Sequence, residues 1–122
     1  METPKIFESE YRFCQILWEH EPVNSTELVR LCQGALGWKK STTYTVIRRL
    51  SERGVVKLEN AVVSALVSRE QVQHSESREF VDRTFSGSLP QFIAAFTSGK
   101  KLSRQEAEEI RRLIDAYEEE CP

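Results

Sequence analysis

Cysteine and histidine are scarce in this 122-residue chain, with three of the first and two of the second. Cys14, Cys32 and Cys121 contain no Cys-x-x-Cys pair, which excludes a dithiol redox motif and a zinc clip. His20 and His74 have no second ligand at helical spacing, so both are read as surface or boundary residues and no metal or cofactor is expected. The chain also lacks His-Glu-x-x-His, a Gly-rich phosphate loop and any nucleophile beside a plausible base, which argues against an enzyme. No apolar run approaches the ~20 residues needed to cross a bilayer. Met1-Glu2-Thr3-Pro4-Lys5 has neither the basic start nor the apolar stretch of a secretory signal. Together these absences predict a reduced, cytoplasmic protein. Cys14 and Cys32, set among apolar neighbours, are expected in the core, and Cys121 on the surface.

What is present suits one or two small folded units. Apolar residues make up 39% of the chain and charged residues 30%, enough core to fold and too much for wholesale disorder. Tyr11, Phe13, Cys14, Ile16, Leu17 and Trp18 repeat at helical spacing and predict a helix over Ser9 to His20, ending before Pro22. Asn24-Ser25-Thr26-Glu27 reads as a capping box, with Asn24 as N-cap and Glu27 reaching back. The helix it opens carries Leu28, Val29, Leu31 and Cys32 and is expected to stop near Gly34, with Gly37 closing the next turn. A third helix is predicted from Lys40-Ser41 to Arg53, stopped by Gly54. Thr43, Val46, Ile47 and Leu50 form its buried stripe. The opposite face presents Ser41, Thr45, Arg48 and Glu52, flanked by Thr42, Tyr44 and Arg49.

After Gly54 the composition turns β-branched. The runs 55–59 and 61–67 bracket Asn60 and predict a two-stranded hairpin, although its turn lacks Asn-Gly. Three further helices follow. The first opens at a capping box, Ser68-Arg69-Glu70-Gln71, and breaks at Ser86-Gly87-Ser88. The second carries Leu89, Phe92, Ile93 and Phe96, with Pro90 in its first turn. The last opens at Ser103-Arg104-Gln105-Glu106 and carries Ala107, Ile110, Leu113, Ile114 and Tyr117. The expected fold is mainly α with a small β-hairpin wing: a winged helix-turn-helix domain over 1–70 and a three-helix domain over 71–122.

The net charge of −2 hides an uneven distribution. Residues 38–57 hold Lys39, Lys40, Arg48, Arg49, Arg53 and Lys57 against Glu52 alone. This cluster coincides with the helix that a winged helix inserts in a major groove, and with short hydroxyl side chains suited to base edges and phosphates. Two readings stay open for Tyr44, as a contact residue or as a packing aromatic at the domain edge. The C-terminal helices present Phe80, Phe85, Leu89, Phe92, Ile93, Phe96, Ile110, Leu113, Ile114 and Tyr117. About fifty residues have little interior for so much apolar surface, so a second copy of the chain is the expected cover.

Several segments resemble the penicillinase repressor family (BlaI/MecI/CopY type). They are Tyr11 to Trp18; Trp38-Lys39-Lys40-Ser41-Thr42-Thr43-Tyr44-Thr45-Val46-Ile47-Arg48-Arg49-Leu50 with Arg53-Gly54-Val55-Val56; Leu66 to Glu70; Phe85 to Leu89; and Lys101 through Leu113. The resemblance spans about residues 8–117 and implies a bacterial transcriptional repressor that binds a palindromic operator as a homodimer through its C-terminal helices. It carries DNA contact onto Ser41, Thr42, Tyr44, Thr45 and Arg49, with Trp38 near the backbone at the helix entrance. Arg48 joins them from helix geometry, and Lys39 and Lys40 from their charge. In the β-lactam-responsive members a membrane sensor-transducer triggers cleavage of the repressor at an Asn-Phe pair. The matching pair here is Ala95-Phe96, which marks a region of possible proteolytic control in this chain. The resemblance makes control of β-lactam resistance or related genes the expected role. The wing, Leu58-Glu59-Asn60-Ala61, lacks the family's basic residues and tip glycine, and a lone Cys121 cannot supply the Cys-x-Cys cluster of the copper-responsive members. The competing function is a winged-helix protein-interaction module that never touches DNA, for which an apolar or acidic face on the third helix would be the signature.

Overall fold

The computed structural model describes residues 3–120, which leaves Cys121 outside the described residues. The element order is α1 (Glu8–His20), β1 (Val23–Asn24), α2 (Ser25–Leu36), α3 (Lys40–Glu52), β2 (Val56–Glu59), β3 (Val62–Ala65), α4 (Arg69–Phe85), α5 (Leu89–Thr97) and α6 (Arg104–Glu120). Six helices and one small antiparallel sheet make the chain mainly helical, and the first three helices with their wing form a winged helix. The sheet has three strands in the order β1-β3-β2, not the two expected. Val23 and Asn24 pair with Val63 and Val62. Two residues are too few to show a period of two, so the strand was hidden behind the Asn24 cap.

The described residues divide into two compact units between Arg78 and Glu79. The boundary expected at 70/71 falls in the first turn of α4, and Val72, the second residue past it, is buried in the core of the first unit. That core gathers Phe13, Cys14 and Leu17 of α1, Leu28 and Cys32 of α2, and Val46, Ile47 and Leu50 of α3. Val55, Val56 and Val63 close it from the wing side. Burial pushes the Cys14 thiol up to about 12, helped by the nearby Glu10 carboxylate and opposed by Arg53. Burial likewise raises Cys32 to about 11, against a hydrogen bond with Thr43. Both are therefore inert core thiols, as the sequence suggested. His20 and His74 are exposed, and His20 Nδ1 lies 2.9 Å from the Ile16 carbonyl oxygen.

The helix ends follow local chemistry. Asn24 accepts from the Thr26 N–H at 2.9 Å and caps α2. Glu27 does not complete a box there. It pairs with Arg30 through two hydrogen bonds, one at 2.9 Å, and this bonding holds its carboxyl below the usual range. Helix α2 runs on to Leu36, past Gly34, and ends at Gly37, whose φ of 70° supplies the left-handed cap. The boxes at Ser68/Gln71 (3.1 and 2.7 Å) and Ser103/Glu106 (3.0 and 3.1 Å) form reciprocally. Helix α1 starts at Glu8, and Glu10 accepts from the Phe7 N–H at 2.9 Å. Across the junction between the wing and α4, the Trp18 indole donates to the Val67 carbonyl at 3.0 Å, and Arg69 lies over its ring at 5.6 Å.

The second unit, described by itself, is built on aromatic contacts. Phe92 sits 5.8 Å from Phe80, 5.4 Å from Phe85 and 5.9 Å from Phe96, ring centroid to centroid. Tilted and edge-on pairs of this kind contribute beyond their area. Among the described residues none after Val72 is buried.

The wing turn is strained. Asn60 and Ala61 both hold positive φ, 53° and 62°, as a two-residue hairpin loop with primed geometry requires. Asn tolerates this, whereas alanine there costs about 1 kcal/mol. Ala61→Gly is expected to raise the thermal unfolding midpoint by a few degrees, measured by calorimetry. A lowered midpoint would show that Ala61 is not strained.

Candidate nucleic-acid interface

The orientation of α3 follows from what it buries. Thr43, Val46, Ile47 and Leu50 are all buried, and the Thr43 hydroxyl is satisfied within the helix by the Lys39 carbonyl at 3.3 Å. The helical repeat then places Ser41, Thr42, Arg48, Arg49 and Glu52 in solvent, with Thr45 half-buried beside them. Thr45 donates its hydroxyl proton to the Ser41 carbonyl at 2.9 Å, which holds the side chain against the helix with its methyl and a lone pair available. Lys39 and Lys40 are exposed at the start of the helix. Lys39, at the N-cap, makes no side-chain cap, so the first-turn N–H groups stay open to an anion.

Six basic side chains cluster in the sequence around α3, but two of them are engaged inside the protein. Arg53, the C-cap of α3, forms an ion pair with the buried Glu10. It also donates to the Lys5 carbonyl at 2.9 Å and lies 5.2 Å over the Phe7 ring. This links the end of α3 to the segment before α1. Lys57 pairs with Glu59 at 3.5 Å, which leaves the wing close to neutral. Lys39, Lys40, Arg48 and Arg49 have no carboxylate partner among the described residues. The field that a polyanion meets therefore comes from these four, offset by Glu52. Arg49 also lines an open groove with Phe7, Glu10, Glu52 and Arg53.

Two residues named from the sequence serve the scaffold. Trp38 is half-buried and stacks on Phe13, with centroids 6.1 Å apart and planes 6° from parallel, which fixes the entrance of α3 on α1. Tyr44 is half-buried against the core, and its hydroxyl donates to Ser25 Oγ at 3.1 Å. The sequence reading missed Ser25 and the Glu10–Arg53 pair. Their partners are 19 and 43 residues away, and no local pattern marks contacts at that range.

In the second unit Phe80, Leu89, Ile93, Phe96, Leu113, Ile114 and Tyr117 are exposed, while Phe85, Phe92 and Ile110 are half-buried. Ala95 and Phe96 are both exposed within α5, and the Ala95 carbonyl accepts from the Ser98 N–H and hydroxyl. No described helix is long and apolar enough to cross a membrane, and no group of metal-ligating side chains occurs among the described residues.

Comparison with known proteins bears on this geometry. The family model for the penicillinase repressor matches residues 6–116. The methicillin resistance regulatory protein MecI of Staphylococcus aureus (strain Mu50 / ATCC 700699) is 24% identical over 117 residues, covering 93% of this chain and 95% of that protein. The penicillinase repressor of Bacillus licheniformis is 20% identical over 118 residues, covering 93% and 92%. Among solved structures, the monomeric form of Bacillus licheniformis BlaI, in complex with the blaP half-operator, matches with a TM-score of 0.51. It is 21% identical, and the match covers 58% of this chain and 93% of that one, a likeness of fold. With the family model covering nearly the whole length, the chain belongs to the penicillinase repressor family.

Proposed function

We propose that the chain is a sequence-specific DNA-binding repressor of transcription, acting as a homodimer on a two-fold symmetric operator. The observation that carries this reading is the exposed face of α3. It combines cations at Lys39, Lys40, Arg48 and Arg49, unpaired among the described residues, with hydroxyls at Ser41, Thr42 and Thr45. Cations at the helix entrance meet phosphates, while the side chains one to two turns in reach base edges. An arginine there binds a guanine edge in two places or grips a phosphate. A protein-docking helix would show an apolar or acidic face, which α3 does not. The relatives named for methicillin resistance and for penicillinase make β-lactam resistance genes the first targets to examine.

The second unit supports the dimer. Phe96, Leu113 and Tyr117 are 60%, 70% and 67% exposed, on helices whose polar faces are otherwise well solvated. Exposed apolar side chains of this kind on a small unit fit a partner of the same composition. Two copies joined there would present two α3 helices to one face of DNA, about a helical turn apart or a multiple of it. Each half-site contact then benefits from the effective concentration set by the other.

Arg49→Ala and Thr45→Ala are both expected to weaken binding to the promoter of the chain's own gene, the arginine change by about tenfold, with the unfolding midpoint unchanged. A gel shift in which neither change alters binding would remove the proposal. Leu113→Asp places a charge on the exposed apolar face without touching the aromatic cluster. It is expected to give monomers by sedimentation at micromolar concentration and a large loss of operator affinity. A wild-type chain that sediments as a monomer under the same conditions would contradict the dimer.

A further inference from the structure

Three elements meet at one serine. Ser25 is the first residue of α2 and only 5% exposed. Its Oγ accepts the proton of the Tyr44 hydroxyl from α3 at 3.1 Å. Its N–H donates to the Ala61 carbonyl at 2.8 Å, and Ala61 is the second residue of the wing turn. The preceding residue, Asn24, pairs with Val62 on the far side of that turn and caps α2 through the Thr26 N–H. The recognition helix, the start of α2 and the wing turn are thus joined through two hydrogen bonds made by one buried serine.

We propose that Tyr44 is a positioning residue: through Ser25, its hydroxyl fixes the wing turn and the start of α2 relative to the DNA-facing side of α3. The inference rests on the DNA-binding reading above. A phenol has one proton to donate, and here that proton is engaged within the protein, so it is withheld from a base edge. The wing's own charge is largely cancelled by the Lys57–Glu59 pair, which leaves the wing suited to bracing α3 more than to gripping phosphates. Ala61 keeps a left-handed conformation that alanine disfavours, and such strain persists only where surrounding bonds over-determine the backbone. The Ser25 N–H is one of those bonds. Holding the contact face of α3 in its bound geometry before DNA arrives lowers the ordering cost of binding.

The test uses a duplex selected from a random pool by the wild-type chain, and a scrambled duplex of the same length. Affinities for both are measured well below the unfolding temperature for wild type, Tyr44→Phe, Ser25→Ala and the double variant. Each single change is expected to lower affinity for the selected duplex about three- to tenfold and to leave the scrambled duplex unaffected. The double variant is expected to be no worse than either single one, because both remove the same link. Hydrogen exchange at the Ser25 amide is expected to quicken in Tyr44→Phe. Phenylalanine keeps the ring packed, so the fold is spared. The proposal is overturned if the Tyr44→Phe loss is confined to one base pair while Ser25→Ala binds as wild type, which would make Tyr44 a base-reading residue. It is equally overturned if affinity and exchange are both unchanged. A pool that yields no enriched sequence instead fails the DNA-binding reading, and exchange at Ser25 then decides the brace alone.

Discussion

Thr43, Val46, Ile47 and Leu50 are withdrawn from water together, and the helical repeat then leaves little choice about what α3 shows. Each fully buried aliphatic side chain contributes about 1.5–3 kcal/mol. Rotating the helix by half a turn would expose three of them and force Arg48 and Arg49 toward the core. The cost of that arrangement far exceeds what any single surface contact could return. The hydroxyl and guanidinium groups therefore face solvent because the apolar groups cannot. The rest of the first unit supports the same placement. Trp38 stacks on Phe13 at the entrance of α3, and Arg53 joins Glu10 and the Lys5 carbonyl at its exit.

Charge is distributed by pairing as much as by composition. The chain carries a net charge of −2, yet the relevant field is local. Of the basic residues between 38 and 57, Arg53 and Lys57 are tied to carboxylates. Arg53 is the more committed of the two, because its partner Glu10 is buried and both would be costly to separate. What remains is four exposed cations, two at the start of α3 and two in its third turn. On the proposed function, such a set would give modest non-specific affinity, and specific binding would rest on geometry and on two half-sites acting together.

Periodicity and capping made much of this legible in the sequence. The stripe of α3, the boxes at Ser68 and Ser103, and the glycine stop at Gly54 are local features, and each is set by residues within a turn or two of one another, whereas the second helix runs past the stop expected near Gly34 to Gly37. What could not be read depends on distant partners. Val23 and Asn24 become a strand only because β3 lies beside them. Glu27 turns to Arg30, one helical turn away, in preference to the helix start. Tyr44 fitted either a contact or a packing role, and its bond to Ser25 is a tertiary fact. The six cations near α3 looked equivalent in the sequence because pairing is invisible there. The apolar stripes of the second unit were legible, and the exposure of Phe96, Leu113 and Tyr117 depends on tertiary packing that a stripe does not reveal.

DNA contact through the four exposed cations on and beside α3 is the central claim, and its most direct measure is how operator affinity depends on salt. Eight such cations in a dimer give a slope of log K against log salt of about −7. Replacing Lys40 by alanine should make that slope shallower by about 2. A slope near zero, or one that Lys40→Ala leaves unchanged, would contradict the account.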